Sequence, residues 1–434
     1  MTHYTVRPAS TLHGRARVPG DKSLSHRAVL LGALAAGDSR VHGFLPAGDG
    51  RATIASMRAL GVEITEHNAA TLTIHGRGLR GLYAPTAPLN CVRSGTTMRL
   101  LTGILAGQRF DSVLTGEPQL RRRPMRRITS PLRAMGAQVA DTAGHAPLTV
   151  HGTQLHGAEH HLAVASAQVK SALLLAGLTA EGATTVHQPG PARDHTERLL
   201  QAMGADLTIA GLSVTVRPSP LQPLTFNIPG DLSSAAFFIV AATLLPGSEI
   251  TLLDVGLNPT RTGLIDVLGV MGADLTISPL REEAGEPVGD LTVRSAPLHA
   301  ADIAGETVVR MIDEFPVLAV AATQAHGATV VRDAAELRVK ETDRIGRMVT
   351  ALQTLGARIH GRPDGFVVEG PTPLHGGVVN SGGDHRLAMA LTIAGLAADA
   401  PVVVHDTACT TDSFPGFVEL LTQLGGEIEV GECK

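Results

Sequence analysis

The chain has 434 residues, of which 44% are hydrophobic and 18% charged, and a formal net charge of −4. This length exceeds one ordinary hydrophobic core, so we expect two domains, and the composition is that of a globular α/β protein rather than a disordered or fibrous one. Aromatic residues make up only 3% and Trp is absent. This scarcity argues against a single-stranded nucleic-acid binder, which stacks bases on aromatic rings.

The cysteines and the N-terminal segment indicate where in the cell the protein is expected. Cys91, Cys409 and Cys433 share no disulfide or metal-ligand spacing, which favours a reducing environment. The segment MTHYTVRPAS has no apolar signal core, and no apolar run reaches membrane-spanning length. We therefore expect a cytoplasmic protein without a membrane partner.

An internal repeat organises the whole chain. Six times a helix-length apolar run ends at small residues and leads into a short β-branched stretch, at 25–44, 96–115, 167–188, 232–254, 314–333 and 385–406. Between these passages a second element recurs as RALGVEI, RAMGAQV, QAMGADL, GVMGADL, QTLGARI and TQLGGEI. A period of about 65 to 85 residues indicates six copies of one structural unit. Each copy predicts a helix, a strand, a second helix and one or two closing strands.

The six units divide into two groups of three. The Pro-rich stretch VRPSPLQPLTFNIPG separates the third unit from the fourth, and a second Pro-Gly follows the predicted strand LHGRARV at Pro19. Treating both as hinges predicts an N-terminal domain of residues 20–227. The predicted C-terminal domain is discontinuous and consists of residues 1–19 and 228–434.

Three sequence motifs that could suggest a ligand site have ordinary explanations. The Gly-x-Gly-x-x-Gly spacing at 76–81 is followed by LYAPTAP rather than by the helix that a dinucleotide site needs. The pair His160 and His161, like most of the histidines, lacks ligand spacing, so surface or capping roles are favoured over metal. The arginine run at 121–127 follows a strand and a Gly-Glu-Pro turn, which places at least one arginine in a loop.

Each of the six apolar helices begins with a polar motif: PGDKSLSHR, RSGTTMR, SAQVK, GDLSSA, MIDEFP and GDHR. Helix N-termini offer free N–H groups and positive partial charge, so these starts are suited to anionic ligands. Asp313 and the segment 338–344 add carboxylates among the cations, a combination that suits general acid–base chemistry. Helix capping at Ser23 and a salt-bridged helix start at 338–344 are the alternative explanations.

Taken together, these motifs resemble the enolpyruvyl transferases, and among them the branch that acts on shikimate 3-phosphate. PGDKSLSHR, SGTTMRLL, GEPQLRRRP, SAQVKSALLLAG, RDHTERLL, GDLSSAAFF, MIDEFP, LRVKETDR and GDHRLAMA occur in the family's order over nearly the whole chain. The resemblance implies two similar α/β domains, each of three βαβαββ units with the helices packed inside, an inside-out α/β barrel. It implies transfer of the enolpyruvyl group of phosphoenolpyruvate to the 5-hydroxyl of shikimate 3-phosphate, in a cleft between the domains, on the route to chorismate and the aromatic amino acids. It implies no organic cofactor, no metal and no nucleic-acid partner, and a monomer.

The family pattern also implies the site residues. The shikimate 3-phosphate contacts implied are Lys22, Ser23, Arg27, Ser166, Ala167, Gln168, Arg193, Asp313 and Lys340. The phosphoenolpyruvate contacts implied are Lys22, Gly95, Arg121, Gln168, Arg344, His385 and Arg386. In the implied addition–elimination, Asp313 takes the hydroxyl proton, Glu341 protonates the methylene carbon and Lys22 stabilises the charge and the departing phosphate. Gly95 further implies sensitivity to glyphosate, which competes with phosphoenolpyruvate in the family.

Three positions depart from the family pattern: Arg93 replaces a common Asn, Ala192 a common Ser or Thr, and Asp412 a Lys found in some relatives. Two other functions stay open at this point. One is the sister transferase acting on UDP-N-acetylglucosamine, although its reactive cysteine is missing from the loop GEPQLRRRP. The other is a non-catalytic anion-binding repeat protein, which would gain nothing from carboxylates in its site.

Overall fold

A computed structural model describes residues 2–432. These residues form two compact units. The N-terminal unit comprises Gly20–Ile228 together with Glu282–Glu286, and the C-terminal unit comprises the residues up to Pro19, Pro229–Arg281 and the residues from Pro287 onward. That the units are independent domains with the predicted bounds of 20–227 and of 1–19 with 228–434 stays a prediction. Cys433 lies outside the described residues.

The first two strands, β1 (Thr2–Arg7) and β2 (His13–Ala16), belong to the C-terminal unit. The helices of the N-terminal unit are α1 (Lys22–Leu34), α2 (Gly48–Ala59), α3 (Gly95–Ala106), α4 (Pro118–Arg121), α5 (Arg126–Ala134), α6 (Ala167–Gly177) and α7 (His195–Ala202). Its strands are β3 (Asp38–His42), β4 (Glu63–Asn68), β5 (Thr71–His75), β6 (Leu89–Asn90), β7 (Asp111–Thr115), β8 (Gln138–Thr142), β9 (His145–His151), β10 (Glu159–His161), β11 (Thr184–His187), β12 (Leu207–Ala210), β13 (Ser213–Val216) and β14 (Thr225–Asn227).

The C-terminal unit follows the same pattern. Its helices are α8 (Leu232–Leu244), α9 (Gly263–Val270), α10 (Glu306–Arg310), α11 (Phe315–Gln324), α12 (Arg344–Thr354), α13 (His385–Leu396) and α14 (Phe417–Gln423), with 3-10 helices at Ala335–Val339 and Thr407–Asp412. The strands that begin in it or continue into it are β15 (Glu249–Gly256), β16 (Asp274–Ile277), β17 (Arg281–Glu283), β18 (Glu286–Arg294), β19 (Asp302–Ile303), β20 (Gly327–Val331), β21 (Arg358–Arg362), β22 (Gly365–Gly370), β23 (Gly377–Asn380), β24 (Val402–His405) and β25 (Glu427–Glu432).

Each unit contains three sheets built to one plan. The orders in the N-terminal unit are β14-β3-β5-β4, β6-β7-β9-β8 and β10-β11-β13-β12, and those in the C-terminal unit are β16-β18-β15-β2, β19-β20-β22-β21 and β23-β24-β1-β25. In the second N-terminal sheet, β6 lies parallel to β7 across helix α3, and β8 and β9 close the sheet as an antiparallel hairpin. This is the predicted βαβαββ unit. In the last sheet, β1 from the start of the chain pairs with both β24 and β25.

The recurring Leu/Met-Gly turn has a backbone cause. Each of its glycines follows the last residues of a helix and has a φ value in the left-handed region, which a residue with a side chain adopts only with strain. The six glycines and their φ values are Gly61 (85°), Gly136 (88°), Gly204 (77°), Gly272 (98°), Gly356 (91°) and Gly425 (115°). The repeat visible in the sequence is therefore a repeated helix C-terminus.

Helices lie inside both units. In the N-terminal unit α3 packs against α1 and α6, and in the C-terminal unit α8, α11 and α13 pack against one another. Every residue of α13 is buried, as are nearly all those of α8. The predicted α/β class with three-sheet units and internal helices is thus confirmed. Among residues 2–432, no helix combines the length and apolar character that crossing a membrane requires.

Candidate active site

The first helix of the N-terminal unit presents Lys22 and Ser23 in its opening turn. Asp21 caps the helix by accepting a hydrogen bond from the amide of Leu24 at 2.8 Å, which fixes the position of the helix start. Lys22 and Ser23, the two residues after Asp21, are half-buried. The Nζ atom of Lys22 lies 3.5 Å from Oδ2 of Asp49 on α2. The predicted cation is therefore fixed at a helix start, where anions are favoured.

Arg27 lies one turn further along α1 and is buried. Its guanidinium donates to Oγ1 of Thr196 at 2.7 Å, to the carbonyl oxygen of Ser23 at 3.0 Å and to Oγ of Ser171 at 3.0 Å. Burial, the largest effect, lowers the pKa of Arg27 to about 10, and the nearby charge of Arg193 adds to this. Arg27 thus joins α1 to α6 and α7.

The start of α3 forms a second cluster. Ser94 caps this helix by accepting from the amide of Thr97. One turn in, Arg99 donates to Oε1 of Gln168, and Nε2 of Gln168 donates to Oγ1 of Thr96 at 2.9 Å. Both polar atoms of the predicted residue Gln168 are therefore hydrogen-bonded, which orients its side chain. One of the partners, Arg99, was not predicted from the sequence.

The arginine run supplies a neighbour for Gly95. A Cβ atom placed on Gly95 would lie 3.0 Å from Nη1 of Arg123 and 3.3 Å from Nη1 of Arg99. Arg123 is in the loop after α4 and is partly buried, whereas the predicted Arg121 is exposed at the end of that helix. Arg123 is thus the member of the arginine run whose guanidinium lies nearest to Gly95. The sequence alone could not show which of the three consecutive arginines at 121–123 lies next to Gly95.

The start of α6 carries the remaining residues of this unit. Ser166 occupies the N-cap position but its hydroxyl makes no capping hydrogen bond, and Ser166, Ala167 and Gln168 are all half-buried. Beneath them, Nζ of Lys170 lies 2.5 Å from Oε1 of Glu197 in a fully buried ion pair. The amides and hydroxyl at this helix start are therefore available to a phosphate.

In the C-terminal unit one guanidinium gathers three carboxylates. Arg344 contacts Oδ2 of Asp384 through Nε at 2.9 Å, Oε2 of Glu341 through Nη2 at 2.6 Å and Oδ1 of Asp313 through Nη1 at 3.2 Å. Burial disfavours its charge, but the three carboxylates outweigh burial and raise the pKa of Arg344 above its ordinary value. Both predicted proton-transfer groups, Asp313 and Glu341, thus contact the same guanidinium group, that of Arg344.

Two further cations surround Asp313. Nζ of Lys340 lies 3.8 Å from Oδ1, and Nη2 of Arg386 lies 3.7 Å from Oδ2. Burial lowers the pKa of Lys340 while the charge of Asp313 opposes that change. The carboxylate of Asp313 is thus surrounded by Lys340, Arg344 and Arg386, all three of which were predicted to contact substrates.

A buried network supports this cluster from α8. Nη2 of Arg261 donates to Oδ1 of Asp231 at 2.9 Å and to Oγ of Ser233 at 2.6 Å. Ser233 in turn donates to Oε1 of Glu314, the neighbour of Asp313. The GDLSSA motif therefore acts through Glu314 as a support, and Arg261 is a second residue that the sequence reading missed.

Comparison with known proteins decides the family. Residues 6–421 match the family model described as EPSP synthase (3-phosphoshikimate 1-carboxyvinyltransferase). A 3-phosphoshikimate 1-carboxyvinyltransferase of Acidithiobacillus ferrooxidans is 52% identical over 434 residues, covering 100% of both chains. The chain belongs to the EPSP synthase family. The enzyme of that name from Desulforudis audaxviator is 53% identical over 422 residues, which cover 96% of this chain and 98% of the relative.

Two solved structures share the architecture of this chain. An EPSP synthase from Acinetobacter baumannii superposes with a TM-score of 0.91 at 44% identity, over 100% of both chains. The enolpyruvyl transferase NikO from Streptomyces tendae has a TM-score of 0.83 at 21% identity, covering 100% of this chain and 99% of its own, and so shares the fold. The predicted family, fold and enzyme class are therefore confirmed, and the alternatives of a sister transferase or a non-catalytic protein are not favoured.

The three departures from the family pattern have different surroundings. Nε of Arg93 lies 2.8 Å from Oε2 of Glu117 in an exposed ion pair, so its charge is already matched at the surface. Ala192 is buried, and its carbonyl oxygen accepts from Nζ of Lys170 at 3.3 Å. Asp412 ends a 3-10 helix and is partly buried. None of these observations assigns the three residues a role in EPSP synthase chemistry.

Proposed function

We propose that the protein transfers the enolpyruvyl group of phosphoenolpyruvate to the 5-hydroxyl of shikimate 3-phosphate and releases phosphate, as a step toward chorismate and the aromatic amino acids. Membership of the EPSP synthase family and relatives named 3-phosphoshikimate 1-carboxyvinyltransferase support this reaction. The structural observation that carries the proposal is the contact of Arg344 with both Asp313 and Glu341. A site that only bound anions would be weakened by these two carboxylates, whereas an acid–base reaction needs them.

Shikimate 3-phosphate is assigned to cations and amides of both units. In the N-terminal unit, Arg193, Ser166 and the amide of Ala167 hold the phosphate, because a helix start supplies N–H donors and positive partial charge. Arg27, which is also among the residues proposed for this substrate, fixes the surrounding helices through its three hydrogen bonds. The other residues proposed for this substrate are Lys22, Ser23, Gln168, Asp313 and Lys340.

Phosphoenolpyruvate is assigned to a second set of cations. Lys22 and Gln168 belong to it from the N-terminal unit, as does Gly95, whose lack of a side chain lets the guanidinium groups of Arg99 and Arg123 lie close to the start of α3. We include Arg123 alongside the sequence-predicted Arg121, since Arg123 is the member of the run that lies next to Gly95. The C-terminal unit contributes Arg344, His385 and Arg386. Arginine grips carboxylate and phosphate with paired N–H groups, which suits a ligand that carries both.

The proposed reaction is an addition followed by an elimination. Asp313 accepts the proton of the 5-hydroxyl as its oxygen bonds to C2 of phosphoenolpyruvate, and Glu341 donates a proton to C3. The tetrahedral intermediate then loses phosphate from C2 and a proton from C3, which restores the double bond. Lys22 stabilises the departing phosphate. General acid–base groups contribute factors of about 10² to 10⁴ each, and orienting two bound substrates contributes further.

The test is phosphate release from phosphoenolpyruvate with either shikimate 3-phosphate or UDP-N-acetylglucosamine as acceptor. We expect release with shikimate 3-phosphate alone, and a loss of about 10² to 10⁴ in kcat in Glu341→Gln. Glu336→Gln, an exposed carboxylate five residues earlier, is the matched control and should retain full activity. Release with the nucleotide sugar alone, or full activity in Glu341→Gln, would contradict the proposal.

The location and the oligomeric state of the protein are two further proposals. We propose a cytoplasmic location, supported by two buried thiols, Cys91 and Cys409, whose pKa values burial raises to about 12. We also propose a monomer, since one chain supplies every residue of the proposed substrate sets. Light scattering at working concentration tests the second point, and a dimer mass would overturn it.

A further inference from the structure

Three side chains that the proposed reaction does not use come together on the first two strands of one sheet. Strands β10 and β11 are parallel, with His161 directly opposite His187. Glu159 lies two residues before His161 on β10, so its side chain points to the same face of the sheet. The imidazole rings are stacked, with centroids 4.5 Å apart and an interplanar angle of 12°.

The distances fit a shared cation. Oε1 of Glu159 lies 2.7 Å from Nε2 of His187 and 3.5 Å from Nε2 of His161. One ligand atom from each of the three residues falls within 4.8 Å of the others. Ligands held about 2.0 to 2.2 Å from one ion lie roughly 3 to 3.5 Å apart, so side-chain rotation alone suffices to close the set around an ion.

A hydrogen bond from a third strand orients the central ligand. Ser213 on β13 lies opposite His187, and its Oγ is 2.7 Å from Nδ1 of His187. In this structure Nε2 of His187 donates to the carboxylate of Glu159. When an ion replaces the proton on Nε2, Nδ1–H can donate to Oγ of Ser213, the kind of hydrogen bond that commonly orients a metal-binding imidazole. His187 is also the least exposed ligand, at 29% against 65% for Glu159 and 75% for His161.

Ordinary surface pairing does not account for the arrangement. The chain has several histidines paired with one carboxylate on a neighbouring strand, such as His75 with Asp38 and His151 with Asp111. Within residues 2–432, the Glu159 cluster is the one group in which three such ligands converge. Sequence spacing could not show it, because β10 and β11 are separated by the whole of α6.

The ligand types select the kind of ion. Imidazole nitrogens suit zinc and the later first-row transition metals, whereas magnesium and calcium prefer an all-oxygen shell. We propose that Glu159, His161 and His187 form a Zn²⁺ site that joins strand β10 to β11, with water completing the shell. The site is independent of the proposed reaction and has no part in its chemistry.

Calorimetric titration of the tag-free 434-residue chain with ZnCl₂ tests the site. Cys433→Ser serves as the parent, because a cysteine thiol outside the proposed site is a competing zinc ligand. We expect one ion per chain with a dissociation constant of about 1 to 100 µM, and no heat with MgCl₂. His161→Gln, His187→Gln and Glu159→Gln should each weaken binding at least tenfold. His156→Gln, in a two-ligand pair with Glu181, is the matched control and should bind as the parent does.

A second readout separates loss of a ligand from loss of fold. Zinc should raise the melting temperature of the parent and the His156→Gln control but not of His187→Gln, whose own melting temperature without zinc should be close to that of the parent. Ser213→Ala keeps all three ligands and should weaken binding about tenfold. Absence of binding at 1 mM zinc, or equal binding by the parent and the three ligand variants, overturns the proposal.

Discussion

Nε of Arg344 lies 2.9 Å from Oδ2 of Asp384, and both side chains are almost completely buried, at 2% and 0% exposed. Burial by itself would raise the pKa of Asp384, but the guanidinium outweighs burial and holds that pKa below its ordinary value. The pair fixes the cation on which Asp313 and Glu341 meet. Asp384 is therefore a positioning residue for the proposed proton-transfer groups, although it need not touch a substrate.

Replacing this carboxylate tests the relationship. Asp384→Asn removes one charge from a buried pair, and we expect a loss of about 3 kcal/mol in the free energy of unfolding together with a lower kcat. Urea unfolding and steady-state kinetics measure the two effects. Asp399→Asn, which breaks an exposed pair with His375, is the control and should change neither quantity appreciably. Unchanged stability in Asp384→Asn would remove the basis for a positioning role.

The sequence was informative where local patterns decide the structure. The six helix starts and the turn glycines such as Gly136 were predictable, because capping, apolar periodicity and left-handed backbone are local properties. The environment of Asp384 was not, since it depends on α12 and α13 meeting side by side. Glu286 belongs to the N-terminal unit, where its Oε1 lies 2.7 Å from Nδ1 of His195. This placement also depends on tertiary contacts, so the sequence motifs did not predict it.

The buried pair of Lys170 and Glu197 makes a second prediction. Burial raises the pKa of Glu197, and the attraction of Lys170 opposes that change. Lys170→Met or Glu197→Leu alone leaves one charge unpaired in the interior, which costs about 3 to 5 kcal/mol. The double variant Lys170→Met/Glu197→Leu should lose less stability than either single variant. Chemical denaturation of all four proteins measures this, and additive losses would show that the two charges are not coupled.

His26 predicts a component of acid sensitivity. Its ring is fully buried on α1, with Nδ1 2.6 Å from Oγ1 of Thr53, and burial lowers its pKa to about 3 from the ordinary 6.5. Between pH 6.5 and about 3, His26 is therefore protonated in the unfolded chain but neutral in the folded chain. The folded state loses stability as the pH falls through this range. The loss from this group should reach about 2 to 3 kcal/mol at pH 4.5.

A variant isolates that contribution. His26→Gln should lose stability less steeply than the parent between pH 6.5 and pH 4.5, whatever its stability at neutral pH. Carboxylates common to both proteins cancel when the two pH profiles are subtracted. His67→Gln, at an exposed position, should keep the parent slope. Parallel profiles for His26→Gln and the parent would show that His26 takes up a proton in the folded state.

The arginine run yields a prediction that separates neighbours. Arg123 lies next to Gly95, whereas Arg121 is exposed. If the phosphoenolpyruvate assignment is right, Arg123→Ala should raise the KM for phosphoenolpyruvate at least tenfold, because an arginine contact to a charged ligand is lost. Arg121→Ala should have a smaller effect and Arg122→Ala almost none. Steady-state kinetics at saturating shikimate 3-phosphate distinguishes the three arginines, and a larger effect for Arg121→Ala than for Arg123→Ala would favour Arg121, as predicted from the sequence, over Arg123 as the main contact.

Gly95 makes the last prediction, which concerns glyphosate. A Cβ on this residue would lie 3.0 Å from Nη1 of Arg123 and 3.3 Å from Nη1 of Arg99, so glycine lets both guanidinium groups lie close to the helix start that is proposed to bind phosphoenolpyruvate. We expect millimolar glyphosate, a dose of the order of 1 mM and well above typical binding constants, to abolish turnover competitively with phosphoenolpyruvate. Gly95→Ala should raise the inhibitory concentration at least tenfold and also the KM for phosphoenolpyruvate, because the methyl group displaces the two arginines. Gly269→Ala, where a Cβ meets nothing within 4 Å, should behave as the parent, and normal turnover of the parent in glyphosate would refute the assignment of Gly95.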